Sequence, residues 1–194
     1  MCRFKSGIIL KNRIVIAEGG NNSHSALLES LGIEDNYIGA TRTFVRAELI
    51  PKDDEWWVSP EAHPEKWEFV VDKDIVPEWF DRKQHEKEFR ESVCAWWEKH
   101  VLADQKIKKL DSGYYRIKGC DIQELAGNAE IFLHSSTVQR MYGSSTVQEM
   151  WDSSVAIDFK NYPKIKIIVQ DPNRFKLVKI GTETEDSNDT ERKK

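Results

Sequence analysis

Cysteine is scarce in this 194-residue chain, an excess of charge of one sign is nearly absent, and long apolar runs are missing. Cys2, Cys94 and Cys120 are an odd number, far apart and in no CxxC spacing. That excludes a disulfide framework and fits a reducing, cytoplasmic setting. The 29 Lys and Arg against 33 Asp and Glu leave a net charge of -4. A strongly basic nucleic-acid binder, which needs clustered cations for phosphates, is thereby excluded. No stretch reaches about 18 consecutive apolar residues, so a membrane-spanning helix is excluded as well. Met1–Gly7 lacks the apolar centre of a signal peptide. The five histidines, His24, His63, His85, His100 and His134, sit in separate segments without HExxH or Cys/His spacing. No metal and no cofactor is therefore expected.

What the chain does contain is local pattern. Phe4–Leu10 and Arg13–Glu18 are β-rich runs joined by Lys11-Asn12, the signature of a hairpin. Ser23 or Ser25 caps a short helix over Ala26–Leu31, ended by Gly32. Thr43–Ile50 alternates like a half-buried strand and stops at Pro51, and Trp67–Asp72 reads as another strand. Asp81 is a fitting N-cap for a long helix, Arg82–Leu102. On that helix Phe89, Val93, Trp96, Trp97 and Val101 form one apolar face, which would cover the N-terminal sheet. One of Trp96 and Trp97 must leave the stripe. His85 and His100 read as surface or capping residues, the latter placing positive charge at a helix C-terminus. Tyr114–Lys118 reads as a strand after Ser112-Gly113.

From about residue 117 the period changes. Ser135–Gly143 (SSTVQRMYG) and Ser144–Asp152 (SSTVQEMWD) agree at six of nine positions. The same frame, slid both ways, gives five units over Ile117–Asn161. Its fourth column holds Cys120, Ala129, Val138, Val147 and Ala156; its seventh holds Gln123, Phe132, Met141, Met150 and Phe159. Repeating apolar columns mean that each unit gives the same atoms to a shared interior. The Ser, Thr, Gly and Asp between them are poor helix material and good turn material. The expected fold is an α+β part, an antiparallel sheet with one long amphipathic helix, followed by a short β-solenoid of nine-residue repeats. Nine residues make either a whole coil or half of one. The boundaries fall at 1–113 for the α+β domain and 114–180 for the solenoid. Lys164–Val169 and Phe175–Ile180 cap or extend the stack, and 181–194 is a polar, disordered tail.

Several side chains are candidates for chemistry or binding. Removal of Met1 would leave Cys2 with a thiol and its own α-amino base, of pKa about 7.7–8.0. The alternative is that Cys2 packs under the hairpin. The Met-Cys-Arg start resembles that of the class-II glutamine amidotransferases. Met-Cys also resembles the opening of the SOS-response-associated peptidase family, whose terminal cysteine bonds covalently to abasic sites in single-stranded DNA. That family has Gly after the cysteine, where this chain has Arg3. Leu49-Ile50-Pro51 and Ile75–Trp79 echo its Pro-Trp segment. The amidotransferase resemblance implies Asn21 and Asn22 as oxyanion contacts and Arg42 or Arg46 as carboxylate contacts. Trp56 and Trp57, beside Lys52–Glu55, are a sugar or cation site, or else core or interface aromatics. In the eighth column, Leu133, Tyr142 and Trp151 form an exposed ladder for a partner if nine residues are a full coil, and no ladder if they are half.

The Met-Cys-x-Phe-x-Ser-Gly-Ile-Ile opening and the Gly-Ser-Ser-Thr-Val-Gln-x-Met units resemble an uncharacterised family of bacteriophages and gut bacteria. That resemblance implies an α+β head with a variable number of repeats. The expected function is a non-enzymatic interaction protein whose solenoid surface meets a protein partner. Repeats suit that role because added units lengthen a surface without changing the fold. The alternative is a Cys2 nucleophile, either a hydrolase or a covalent abasic-DNA sensor, in which case nucleic acid is a partner. Exposed solenoid ends and edge strands leave an oligomer open.

Overall fold

A computed structural model describes residues 4–72, 75–151, 155–157 and 176–178. Cys2, Lys164–Val169 and the tail 181–194 lie outside the described residues.

The head is a four-stranded antiparallel sheet in the order β2-β1-β3-β4. β1 (Lys5–Leu10) and β2 (Arg13–Ile16) are joined through the expected two-residue turn, with Leu10 opposite Arg13. β3 (Phe44–Pro51) pairs with β1 on one side and with β4 (Trp67–Val71) on the other. Alternation sends Ile9, Val45, Ala47, Leu49 and Phe69 to one face of the sheet. Ile8 and Phe44 go to the other. The second face is covered by α1 (His24–Ser30), capped by Ser23, and α2 (Tyr37–Arg42), capped by Asn36. The sequence pattern missed α2, because six residues are too few to show a period.

The first face carries α3 (Arg82–His100), with the Asp81 carboxylate accepting from the Gln84 backbone N–H at 2.9 Å. Phe89, Val93 and Trp96 are buried on its inner stripe, and Trp97 is half-buried at the margin. Gly7 sets how closely α3 approaches. A Cβ there would lie 2.7 Å from the Phe89 ring and 2.8 Å from both the Ile16 side chain and the Val15 carbonyl. His85 and His100 are buried, not surface residues. His85 is stacked on Phe80 at 5.1 Å and His100 on Trp96 at 5.2 Å. An imidazole on the inner face of a helix packs as a flat ring, and burial then lowers the His100 pKa.

The second half is a β-solenoid of about three turns. β5 (Val101–Ala103), β7 (Tyr114–Lys118), β9 (Glu130–His134) and β11 (Thr146–Trp151) form one parallel sheet. β6 (Lys106–Leu110), β8 (Asp121–Leu125), β10 (Thr137–Met141), β12 (Val155–Ile157) and β13 (Lys176–Val178) form the other. Successive strands alternate between sheets, so a nine-residue unit is half a coil. The stack begins at Val101, directly after α3, upstream of the start at 114 read from the sequence. Lys-Ile-Lys-Lys-Leu in β6 shows only two apolar residues and so disguises the first coil.

The nine-residue frame describes the later units and slips in the earlier ones. Tyr114 stands opposite Glu130, a step of 16 residues, whereas Thr137 stands opposite Val155, a step of 18. The fourth column is buried as expected at Cys120, Ala129, Val138 and Val147. The seventh is not one column: Gln123 is exposed, Phe132 packs toward the head, and Met141 lies in the solenoid core. The true ladders pair Ile122 with Val138, Leu125 with Met141, and Ile131 with Val147. Gly127 and Gly143, with φ of 57° and 67°, stack at the same corner of successive coils, where the left-handed turn suits glycine.

Candidate functional site

The two halves meet along a seam of cations and aromatic rings. The outer face of the β7–β9–β11 sheet lies against α3 and the tryptophan loop of the head. There Arg116, almost fully buried, sets its guanidinium 3.9 Å from the Trp56 ring and 5.3 Å from Phe132. Trp56 is edge-on to Trp67 at 5.6 Å and to Trp96 at 6.4 Å. Half-buried Trp57 meets the His134 ring at 5.6 Å and Lys118 at 5.9 Å. Trp56 is thus an interior bolt with no face for a sugar, and Trp57 is turned to the solenoid. These are the core and interface roles that the sequence also allowed, since a pair of indoles buries more apolar area against a second unit than it could against water.

Lys5 lies deepest in the seam. Its side chain is fully buried, its Nζ donates to the Gly19 carbonyl at 3.2 Å, and it sits 3.9 Å over the Trp96 ring. Burial, helped by the Arg116 charge and opposed by Glu18, brings its pKa down to about 7. Trp96 Nε1 donates to the Glu18 carbonyl at 2.9 Å, which holds this loop against α3. His100 Nδ1 lies 2.6 Å from the Tyr114 carbonyl, so that nitrogen carries the proton. Its buried Nε2 has no hydrogen-bond partner among the described residues and lies 4.0 Å from Glu18. Sequence reading missed Lys5 and Arg116. The signal was a basic residue within a run of strand-formers, Lys5 before Gly7-Ile8-Ile9-Leu10 and Arg116 between Tyr115 and Ile117.

The residues weighed for an amidotransferase site do other work. Arg46 is ion-paired with Asp35 and, at 3.6 Å, with Asp72. Its guanidinium is therefore committed to the chain's own carboxylates and is not free for a substrate's. Asn21 Oδ1 accepts from the Ser23 backbone N–H at 3.0 Å, ordering the entry to α1. Buried Asn22 accepts the Ser6 hydroxyl proton at its carbonyl, 2.7 Å away. Arg42 ends α2, and its carbonyl accepts from Trp79 Nε1 at 2.8 Å. The pairing of Ile8 with Arg46 and of Ser6 with Glu48 puts Arg46 two residues along the sheet from the Asn22 contact. Beside it, His24 Nε2 is 3.2 Å from the Ala47 carbonyl. Glu48 has a pKa raised by burial and by Asp72.

Burial holds both described thiols toward the protonated form. Cys120 is buried in the solenoid core, and burial raises its pKa. Cys94 is half-buried on α3, where burial again raises the pKa, beside an open groove of about 880 Å³ shared with Pro60, Pro64, Arg90 and Glu98. Among the described residues no three His, Cys, Asp or Glu gather closely enough to hold a metal ion, and no helix is long and apolar enough to cross a membrane.

With half-coil units, Tyr142 and Trp151 belong to different sheets. Tyr142 follows β10 of one sheet, while Trp151 ends β11 of the other, level with His134. What the solenoid leaves open is the face of β6, β8 and β10. Its exposed side chains are Lys106, Lys108 and Lys109, then Gln123, then Gln139 and Arg140. They are joined across strands. Gln139 Nε2 donates to Asp121 at 2.9 Å, and Arg140 pairs with Glu124 at 3.4 Å. Fold and site define an antiparallel α+β head clamped onto a short parallel β-solenoid, one sheet covered and one sheet presented. Compared with family models, curated proteins and solved structures, the chain matches none of them.

Proposed function

We propose that this chain is a binding module of phage or bacterial origin, and that it presents the β6–β8–β10 face of the solenoid to a protein partner. One observation carries the reading: the two sheets of the same solenoid are treated differently. The β7–β9–β11 sheet spends Arg116, Phe132 and His134 on the head. The other sheet turns a flat row of lysines, glutamines and an arginine to solvent, in-register from strand to strand. Strand pairing has already ordered the backbone of this face, so docking has only side chains left to order. The test is a photo-crosslinking residue at Gln123 or Gln139, compared with one at exposed Lys87 on α3, in cells that make the protein. Discrete products at the two solenoid positions alone support the reading; equal labelling at Lys87 refutes it.

A second reading keeps Cys2 as the nucleophile. Supporting it is the Met1-Cys2-Arg3 start, in which a terminal cysteine would carry its own α-amino base. Intact-mass analysis with an electrophilic thiol probe and with abasic single-stranded DNA checks it. An adduct lost in Cys2→Ala supports it, and a retained Met1 rules it out.

A further inference from the structure

We propose that the outer edge of β6 accepts an extended acidic–apolar segment of the partner protein as an added strand. The proposal rests on the binding-module reading and names the partner's chemistry. β6 ends the sheet order β13-β12-β10-β8-β6, and among the described residues it pairs with β8 alone. A strand there offers a row of backbone donors and acceptors to a newcomer.

The first coil is also the end of the solenoid's core. Ile107 and Leu102 are half-buried, whereas their partners one layer in, Ile122 and Ile117, are fully buried. A further layer on β6 would bury Ile107 as β8 buries its own neighbours. Repeat stacks need such a cap wherever the last layer meets water.

The charges specify what the newcomer carries. Lys106 stands level with Asp121, and Lys109 with Glu124, which in turn faces Arg140. The Lys109–Glu124–Arg140 row alternates in sign and the Lys106–Asp121–Thr137 row runs from positive to negative to neutral; both stop at the edge on a lysine, Lys106 and Lys109, the latter also paired with Asp111 at 2.8 Å. Edge lysines usually keep strands apart, because pairing would strip water from them without compensation. A strand with Asp or Glu at the two matching positions removes that penalty and continues the alternation. The segment that meets every condition has the pattern acid, apolar, polar, acid, apolar. β8 itself, Asp121-Ile122-Gln123-Glu124-Leu125, is its template, laid parallel to β6 in this same register. The lysine pair then acts as a filter, repelling basic or neutral strands while admitting this one.

The experiment uses the full chain and a fluorescein-labelled peptide carrying Asp-Ile-Gln-Glu-Leu between Gly-Ser flanks, followed by fluorescence anisotropy. Saturable binding is expected. It should weaken by about tenfold in the double variant Lys106→Glu, Lys109→Glu, as two cross-strand pairs turn repulsive. A Lys-Ile-Gln-Lys-Leu peptide should show the opposite preference. Circular dichroism and melting temperature are measured alongside, and the milder variant Lys106→Gln, Lys109→Gln, which sets no like charge opposite Asp121 and Glu124, should weaken binding in the same direction. No saturable binding, or binding indifferent to the charge swap, overturns the proposal. If crosslinks at Gln139 persist while the peptide fails, the edge proposal falls and the binding-module reading stands. A dimer of the chain that the double variant dissolves also overturns it, in favour of a second copy as the occupant.

Discussion

Lys5→Met is the sharpest test of the seam. Lys5 is fully buried, and its folded-state pKa falls from the ordinary 10.5 to about 7. Above 10.5 neither the folded nor the unfolded chain holds the proton, and below about 7 both do. In between, only the unfolded chain holds it, so folding gains stability as pH rises, by up to about 1.4 kcal/mol per pH unit. Met keeps the length of the side chain and removes the amine, and with it this dependence. Between about pH 7.5 and about pH 9.5, wild type should therefore gain about 2–3 kcal/mol relative to Lys5→Met. At neutral pH the variant should be the more stable of the two, since it no longer buries an ammonium beside Arg116. The other groups around Lys5, which are Glu18, His100, Tyr114 and Arg116, are common to both proteins. Tyr114 and Cys120, whose pKa values burial raises, act with opposite sign in alkali and cancel in the difference. Urea unfolding followed by tryptophan fluorescence at constant ionic strength measures it. Parallel stability curves for the two proteins across that range would refute the reasoning.

Two further expectations follow from packing and one from capping. Gly7→Ala should cost about 1–3 kcal/mol, because the new methyl has to push α3 away at Phe89, and chemical denaturation reads this directly. Ile131→Ala, between Tyr115 and Val147 in the stacked core, should cost about 2–5 kcal/mol, with hydrogen-exchange protection falling first in 114–149. Asn36→Ala removes the Oδ1 acceptor that caps α2 at Gly39, 2.7 Å away, and should cost about 0.5–2 kcal/mol in the same assay.

Local signals in this chain were legible where one residue type has one physical use. The turn at Lys11-Asn12, the caps at Ser23 and Asp81, and the stripe of Phe89, Val93 and Trp96 could all be read without neighbours. The solenoid was legible as a class from its two near-identical units. Its pitch was not, because 16-residue early coils and 18-residue later ones share a sequence frame of nine. Phe132 and Met141 looked alike in that frame, yet one meets the head and the other the solenoid interior. Arg46 and Trp56 left two roles open in sequence for a related reason. A charged or aromatic residue reads the same in sequence whether its partner is a ligand or the chain's own Asp35 or Arg116.

Composition and periodicity alone decided that this chain has an α+β start, a repeat-built β end, few cysteines and almost no net charge. These are properties of single residues and of spacings along the chain, and folding does not alter them. Tertiary structure alone decided which sheet of the solenoid is spent on the head and which is presented. It also decided that Lys5 and Arg116, more than a hundred positions apart, share one dry seam, and that two charged rows of the open sheet stop on Lys106 and Lys109. The physical reason is that desolvation and cross-strand pairing depend on neighbours in space, and the long-range contacts that choose those neighbours leave no period in the sequence.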